Sequence, residues 1–174
     1  MIEYTNFTEN LYNTTPLNHC SNFLIVEGSN RSIEKVQQGF QNKECFRSVL
    51  GKRAEQQPVP KKNWFEQNLE DFGTEWDIAP KFVTARLDSP SRLVLSFPTA
   101  WSPPRLFVAK MCRQYKVRAY HQYHIPTMDL SGYVELNETG GTVEEQSYPL
   151  HEGLAQMDYL KFLLRRLPMM CQAA

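Results

Sequence analysis

Between Arg92 and Ile125 the hydrophobic period of the chain changes twice, with no spacer between the segments. RLVLSFPTAW reads as a strand. PRLFVAKMCRQY sets Phe107, Val108, Met111, Cys112 and Tyr115 at helical spacing, with Arg105, Arg113 and Lys116 on the other side. KVRAYHQYHI then alternates, with Val117, Ala119, His121, Tyr123 and Ile125 on one face. A strand, a helix and a strand in so short a span leave the helix one place to go, against the sheet its flanking strands help to build. TAWSPP is the strand-to-helix corner of this unit. Ser102 is expected to cap the helix and Pro103 to take its first position, where a missing N–H costs nothing.

The preceding segments add a matching half. NFLIVEG (22–28) is a short apolar, β-branched strand closed by Gly28. SNRSIEKVQQGFQN follows as a helix capped by Ser29 or Ser32, with Ile33, Val36 and Phe40 at helical spacing and Gly39 as a weak point. Residues 43–62 are basic and polar, end in QQPVPKK, and read as a long loop. NWFEQNLEDFG is a helix opened by Asn63 with Glu66 and stopped by Gly73, with Trp64, Leu69 and Phe72 close to one face. FGTEWDI then runs extended, pointing Thr74, Trp76 and Ile78 inward and Glu75 and Asp77 outward. Trp76 and Trp101 are therefore both expected to be buried structural residues at element junctions. KFVTARLDSP forms a hairpin with RLVLSFPTAW through DSPS, and SGYVELNETGGTVEEQSY forms another through its Gly-Gly turn. A last helix over 153–167 carries a stripe of Leu154, Met157, Leu160, Leu164 and Leu167, widened by Tyr159, Phe162 and Leu163.

The order predicts an α+β fold: a ferredoxin-like split βαβ antiparallel sheet with helices on one face, plus an inserted helix and a C-terminal helix. Residues 1–16 form an N-terminal arm, 17–150 the ferredoxin-like domain and 151–174 the C-terminal helix extension. A 174-residue chain with 41% hydrophobic and 22% charged residues suits a single globular domain. No run approaches the roughly 18 apolar residues of a membrane helix. The polar start does not resemble a secretory leader, so a cytoplasmic protein is expected. Cys20, Cys45, Cys112 and Cys171 lie far apart without C-x-x-C spacing, which reads as reduced thiols.

These strings resemble a family of phage- and plasmid-borne proteins defined by a ferredoxin-like domain. Its Asn-Trp-Cys-x-Asn start corresponds to NHCSN, with His19 in place of tryptophan. Its Pro-x-Pro, Asn-Trp and Gly-Thr-Lys-Trp-Asp elements correspond to PVP, NW and GTEWD, with Glu75 in place of lysine. Its Phe-x-Thr-Ala-Trp-Ser-Pro-Pro motif is intact as Phe97 to Pro104. The resemblance covers about residues 17–145, implies the ferredoxin-like fold and a bacterial mobile-element setting, and brings no activity with it.

For chemistry, Glu75 or Asp77 with His121 or His124 is the candidate acid/base set, and His19, Cys20, His121 and His124 the candidate metal set. On a strand His121 and His124 point to opposite faces, which separates them as ligands. No phosphate loop, dinucleotide turn, nucleophile elbow or H-E-x-x-H is present. The expectation is a protein without catalytic, cofactor or metal residues. Tyr120 and Tyr123 with Arg118 are candidates for stacking nucleic-acid bases on the sheet, but the RNA-recognition signature is missing and net charge is zero. Residues 119–160 contain no Lys or Arg and include Glu135, Glu138, Glu144 and Glu145. Charge and resemblance together lead to a partner-facing acidic surface on a protein that inhibits a host protein, such as a defence nuclease or CRISPR effector. The C-terminal helix, through Tyr159, Phe162, Leu163 and Arg166, is the expected contact of a homodimer.

Overall fold

The computed structural model describes residues 19–51 and 63–149. The arm over 1–16, most of the loop over 43–62, Cys171 and the C-terminal extension with Tyr159, Phe162, Leu163 and Arg166 lie outside the described residues. The elements in chain order are β1 (His19–Glu27), α1 (Asn30–Phe40), α2 (Cys45–Leu50), α3 (Trp64–Phe72), β2 (Thr84–Ser89), β3 (Arg92–Ala100), α4 (Arg105–Tyr115), β4 (Arg118–Ile125), β5 (Leu130–Leu136) and β6 (Thr142–Pro149). One six-stranded sheet has the order β2-β3-β1-β4-β5-β6, and each pairing is antiparallel.

The first four strands interlock in the ferredoxin-like manner. β3 lies between β1 and β2, and β1 lies between β3 and β4, so each helical crossover skips one strand. The hairpin of β5 and β6 extends the sheet beyond β4. Its turn is built by Asn137, whose side-chain Oδ1 accepts from the N–H of Thr139 and Gly141. Gly140 sits at φ 76°, and an added Cβ would come within 2.3 Å of the Ala109 carbonyl oxygen in α4. Only glycine lets the turn pass that close.

The helices share one face of the sheet. Leu24, Val26, Leu93, Leu95, Phe97, Ala119, Val134 and Leu136 from the strands form one core with Ile33, Val36, Phe40, Phe46, Val49, Phe72, Phe107, Val108 and Met111 from the helices. Phe46 is its hub. Its ring stacks on Phe107 at 4.1 Å between centroids and meets Phe40, Phe72 and Phe97 edge-on at 5.5–6.4 Å.

Phe46 corrects the loop reading of residues 43–62. The charges there mask a helix, α2, with Cys45, Phe46 and Val49 buried and Leu50 packed against the same core. It is six residues long, too short for the hydrophobic period to register above the surrounding basic residues. Gly39, the weak point of α1, is explained by the same helix. A Cβ there would lie 2.4 Å from Val49 Cγ2 and 2.8 Å from Val49 Cα, so the absence of a side chain is what lets α1 and α2 touch.

The start signals of α1 and α3 and the stop of α3 hold, whereas α4 begins at Arg105, two residues beyond the Pro103 expected in its first position. Ser29 Oγ accepts from Ser32 N at the start of α1, and Asn63 Oδ1 from Phe65 N and Glu66 N at the start of α3. Gly73 closes α3 at φ 79°. Of the three apolar residues read on one face of α3, only Phe72 is buried; Trp64 and Leu69 are exposed.

Gly39→Ala is expected to lower stability by about 1–3 kcal/mol, because the clash is with backbone as well as a side-chain tip. Urea unfolding of the variant checks this; an unchanged midpoint would mean α1 and α2 can separate without cost.

Candidate functional site

The two tryptophan-bearing strings fold into a single corner at one end of the sheet. β3 ends at Ala100, opposite His19 at the start of β1. The chain then makes two tight turns in succession. Ser102 N donates to Ala100 O at 2.7 Å across Trp101, and Arg105 N donates to Pro103 O at 2.8 Å across Pro104. Both are three-residue turns. The second has the common geometry, with Pro104 at φ −80°, ψ 58°. The first carries Trp101 at φ 61°, a left-handed value that a bulky residue adopts only under strain, at a cost on the order of 1–3 kcal/mol.

GTEWD holds this strained turn in place. Thr74 Oγ1 donates to Ala100 O at 2.9 Å, and Ser102 Oγ donates to Gly73 O at 2.8 Å. The hydroxyl expected to cap α4 is therefore spent on the neighbouring loop, and α4 begins at Arg105 with no side-chain cap. Gly73 lies so near α4 that an added Cβ would be 3.3 Å from Leu106 N. Behind the corner, Thr99 Oγ1 donates to Ser102 O at 2.7 Å and accepts from Asn22 Nδ2 at 2.8 Å. Asn22 Nδ2 also donates to the Cys20 carbonyl at 3.0 Å, so its Oδ1 is left as acceptor for His121 Nε2–H at 3.0 Å. That fixes the His121 tautomer and leaves its buried Nδ1 without a partner in the protein.

Both tryptophans depart from expectation. Trp76 is 52% exposed and Trp101 47% exposed, and Leu106, which lies next to Gly73, is exposed as well. Thr74 and Ile78 do turn inward. The segment between them is bent rather than extended, so strict alternation fails at Trp76. Asp77 does not face solvent as a free carboxylate. Its two oxygens accept from Phe46 N at 2.7 Å and Arg47 N at 2.9 Å, and Ile78 O accepts from Cys45 N at 3.0 Å. The first three N–H groups of α2 are thereby satisfied. Burial lifts the Asp77 carboxyl above its ordinary range, against the pull of three backbone N–H groups. Helix capping across some thirty residues carries no local signal, so the string offers Asp77 only as an outward carboxylate and an acid/base candidate.

The buried thiols and histidines are held quiet. Burial pushes the Cys20, Cys45 and Cys112 thiols up to about 12. Burial, helped by the Arg105 charge, pushes His121 down to about 3. His124 Nδ1 lies 2.9 Å from Ser131 Oγ, but that hydroxyl is fully buried. His121 and His124 point to opposite sheet faces, as their spacing predicts, and Asp77 and His121 have separate partners. Among the described residues no three of His, Cys, Asp and Glu gather as a metal set. No described helix is long and apolar enough to cross a membrane.

The four glutamates do not share a surface. Glu135 is only 4% exposed and pairs with Arg118 at 3.3 Å, and Glu138 lies 3.7 Å from the same guanidinium. Glu144 stands opposite Glu135 in the register and accepts from Tyr133 Oη. Glu145 points to the helix side and pairs with Arg105 at 2.5 Å. Arg105 also donates to Tyr123 Oη at 2.8 Å, so Tyr123 is engaged as well as buried. Tyr120 is buried on the opposite face, and neither ring is free to stack a base.

The fold defines a ferredoxin-like α+β domain. Residues 75–156 match the family model of the ferredoxin-like domain in Api92-like protein, a stretch just short of half the chain. The solved structure of the protein api92 from Yersinia pseudotuberculosis is similar in fold, with a TM-score of 0.60 at 9% identity over 76% of this chain and 98% of that one. No curated protein sequence matches.

Two outcomes are expected here. Asp77→Ala should cost about 1–2 kcal/mol through the lost cap, whereas Glu75→Ala should change stability little; thermal melts of the pair separate cap from charge. His121 binds its proton only in the unfolded chain between pH 6.5 and about 3. Its stabilising contribution is complete above pH 6.5 and falls as pH drops, with a slope of up to about 1.4 kcal/mol per pH unit. His121→Gln should flatten the loss of stability between pH 7 and 4.5 in urea titrations; the same slope in both proteins would place the acid sensitivity elsewhere, His124 included.

Proposed function

We propose that the protein is a non-catalytic protein-binding module that docks through the Trp76, Trp101 and Leu106 corner. The observation that carries this reading is the strained turn at Trp101. A left-handed backbone that leaves a large aromatic ring half in solvent gains the fold nothing that glycine would not supply better, and such strain concentrates at functional positions. Tryptophan is the residue type most enriched among binding hot spots, and the corner is preorganised by four hydrogen bonds, so little ordering is left for the moment of binding. The resemblance to phage- and plasmid-borne proteins makes a protein of the bacterial host the partner class, with defence nucleases and CRISPR effectors as examples. The acidic surface is the weaker route: Glu135 and Glu145 are neutralised within the fold, and Glu144 and Glu145 face opposite ways. Nucleic-acid binding by the sheet aromatics is weaker still, since Tyr120 and Tyr123 are buried.

The test is affinity capture from nuclease-treated bacterial lysate with the wild-type chain and with Trp76→Ala/Trp101→Ala. One protein should be recovered in near-stoichiometric amount by the wild type and lost by the variant. Each single Trp→Ala variant should cost well under the about 3–5 kcal/mol of truncating a buried aromatic. Equal capture by both proteins, or recovery that disappears with nuclease alone, would overturn the reading.

A further inference from the structure

The sheet has a second face, and its centre is apolar. Side chains alternate along the strands, so Leu24 and Val26 point to the helices while Phe23 and Ile25 point away. Phe23 and Ile25 of β1 cluster there with Val94 of β3 and Tyr120 of β4. No described helix contributes a residue to this cluster, yet Ile25 is 0% and Tyr120 1% exposed. A bare sheet face cannot close over a central isoleucine, and an antiparallel sheet with one wet face should be polar there. Around the patch the same face is polar: Ser96 on β3, Arg118 and Gln122 on β4, Tyr133 on β5, and Glu144 and Gln146 on β6. The patch is thus bounded, about one helix wide, and covered by something other than the described elements.

We infer that the segment 151–174 of the same chain covers this face, laying the Leu154, Met157, Leu160, Leu164 and Leu167 stripe across Phe23, Ile25, Val94 and Tyr120. Its place in the chain suits the task. β6 is an edge strand and ends at Pro149, opposite Leu130, at the end of the sheet where β1 begins. From β6 to β1 is three strand spacings, about 14 Å at about 4.8 Å each. A helix over 153–167 is about 22 Å long. It therefore spans from the β6 edge to β1 and β3 on a short connection. The composition suits it too: the stripe supplies five large apolar side chains, whereas the N-terminal stretch MIEYTNFTENLYNTTPLN is largely polar. Tethering favours the chain's own face over that of a second copy, because the local concentration through a short link reaches the millimolar range.

Cys171 allows a direct test. The other three thiols are buried, so a nitroxide reagent added to the native full-length chain labels Cys171 alone. Amide signals of Phe23, Ile25 and Tyr120 should broaden in the labelled, isotope-enriched chain. They should stay sharp when an unlabelled enriched chain is mixed with a labelled unenriched one. Leu160→Asp/Leu164→Asp in the full chain should raise binding of an apolar dye several-fold while the far-ultraviolet spectrum is kept. Broadening in the mixed sample would assign the cover to a second copy. No broadening in either sample, or no dye increase in a folded variant, would assign it to another segment. Each of these results overturns the inference, and the label experiment stands even if the double variant does not fold.

Discussion

The Asp77 carboxylate is the contact on which this architecture turns. It accepts two N–H groups at the start of α2, and the adjacent Ile78 carbonyl accepts a third, so a helix of six residues begins at a fixed place. A helix that short does not persist by its own propensity. Held by Asp77, it delivers Phe46 to the middle of four other phenylalanines and brings Val49 against Gly39. The same residue ends the loop that starts at Gly73, so helix placement and the geometry of the tryptophan corner share one anchor.

The corner and the core are built from opposite kinds of interaction. The core is apolar contact, non-directional and tolerant. The corner is a chain of directional hydrogen bonds from His121 through Asn22, Thr99 and Ser102 to Gly73. Directional bonds can hold backbone in a conformation it would not choose, and here they hold Trp101 at positive φ. His121 donates its Nε2–H to Asn22 Oδ1 at the head of this chain, and burial keeps the ring neutral. The corner thereby presents its two tryptophans on a rigid frame, while the Cys20, Cys45 and Cys112 thiols stay buried and protonated.

The sheet divides its faces differently from a wet-sided antiparallel sheet. β1 is buried along its whole length apart from its two ends. Its continuous apolar run reflects burial on both sides. The helices account for one side, and the other is closed by something beyond the described elements.

Much of this was legible in the residues. Changes of hydrophobic period marked β1, α1, α3, α4 and the five later strands, and turn and cap residues marked most of the ends, because period and capping are local properties that one strand or helix carries in its own string. The ferredoxin-like order followed from them. Four things were not local. α2 was hidden because its cap, Asp77, comes from a distant loop. Ser102 looked like a cap and instead bonds Gly73, since which acceptor a hydroxyl meets depends on which loop packs beside it. Trp76 and Trp101 looked like core because large aromatics usually bury, but a turn at positive φ and a bend after Gly73 direct both outward. The glutamates shared a stretch of sequence, and the pleat sent Glu145 to one face and Glu144 to the other. The chain by itself determined most of the elements and their order; only tertiary contact decided which side chains are spent on the fold and which are left exposed, because a hydrogen bond or a buried surface belongs to two segments at once.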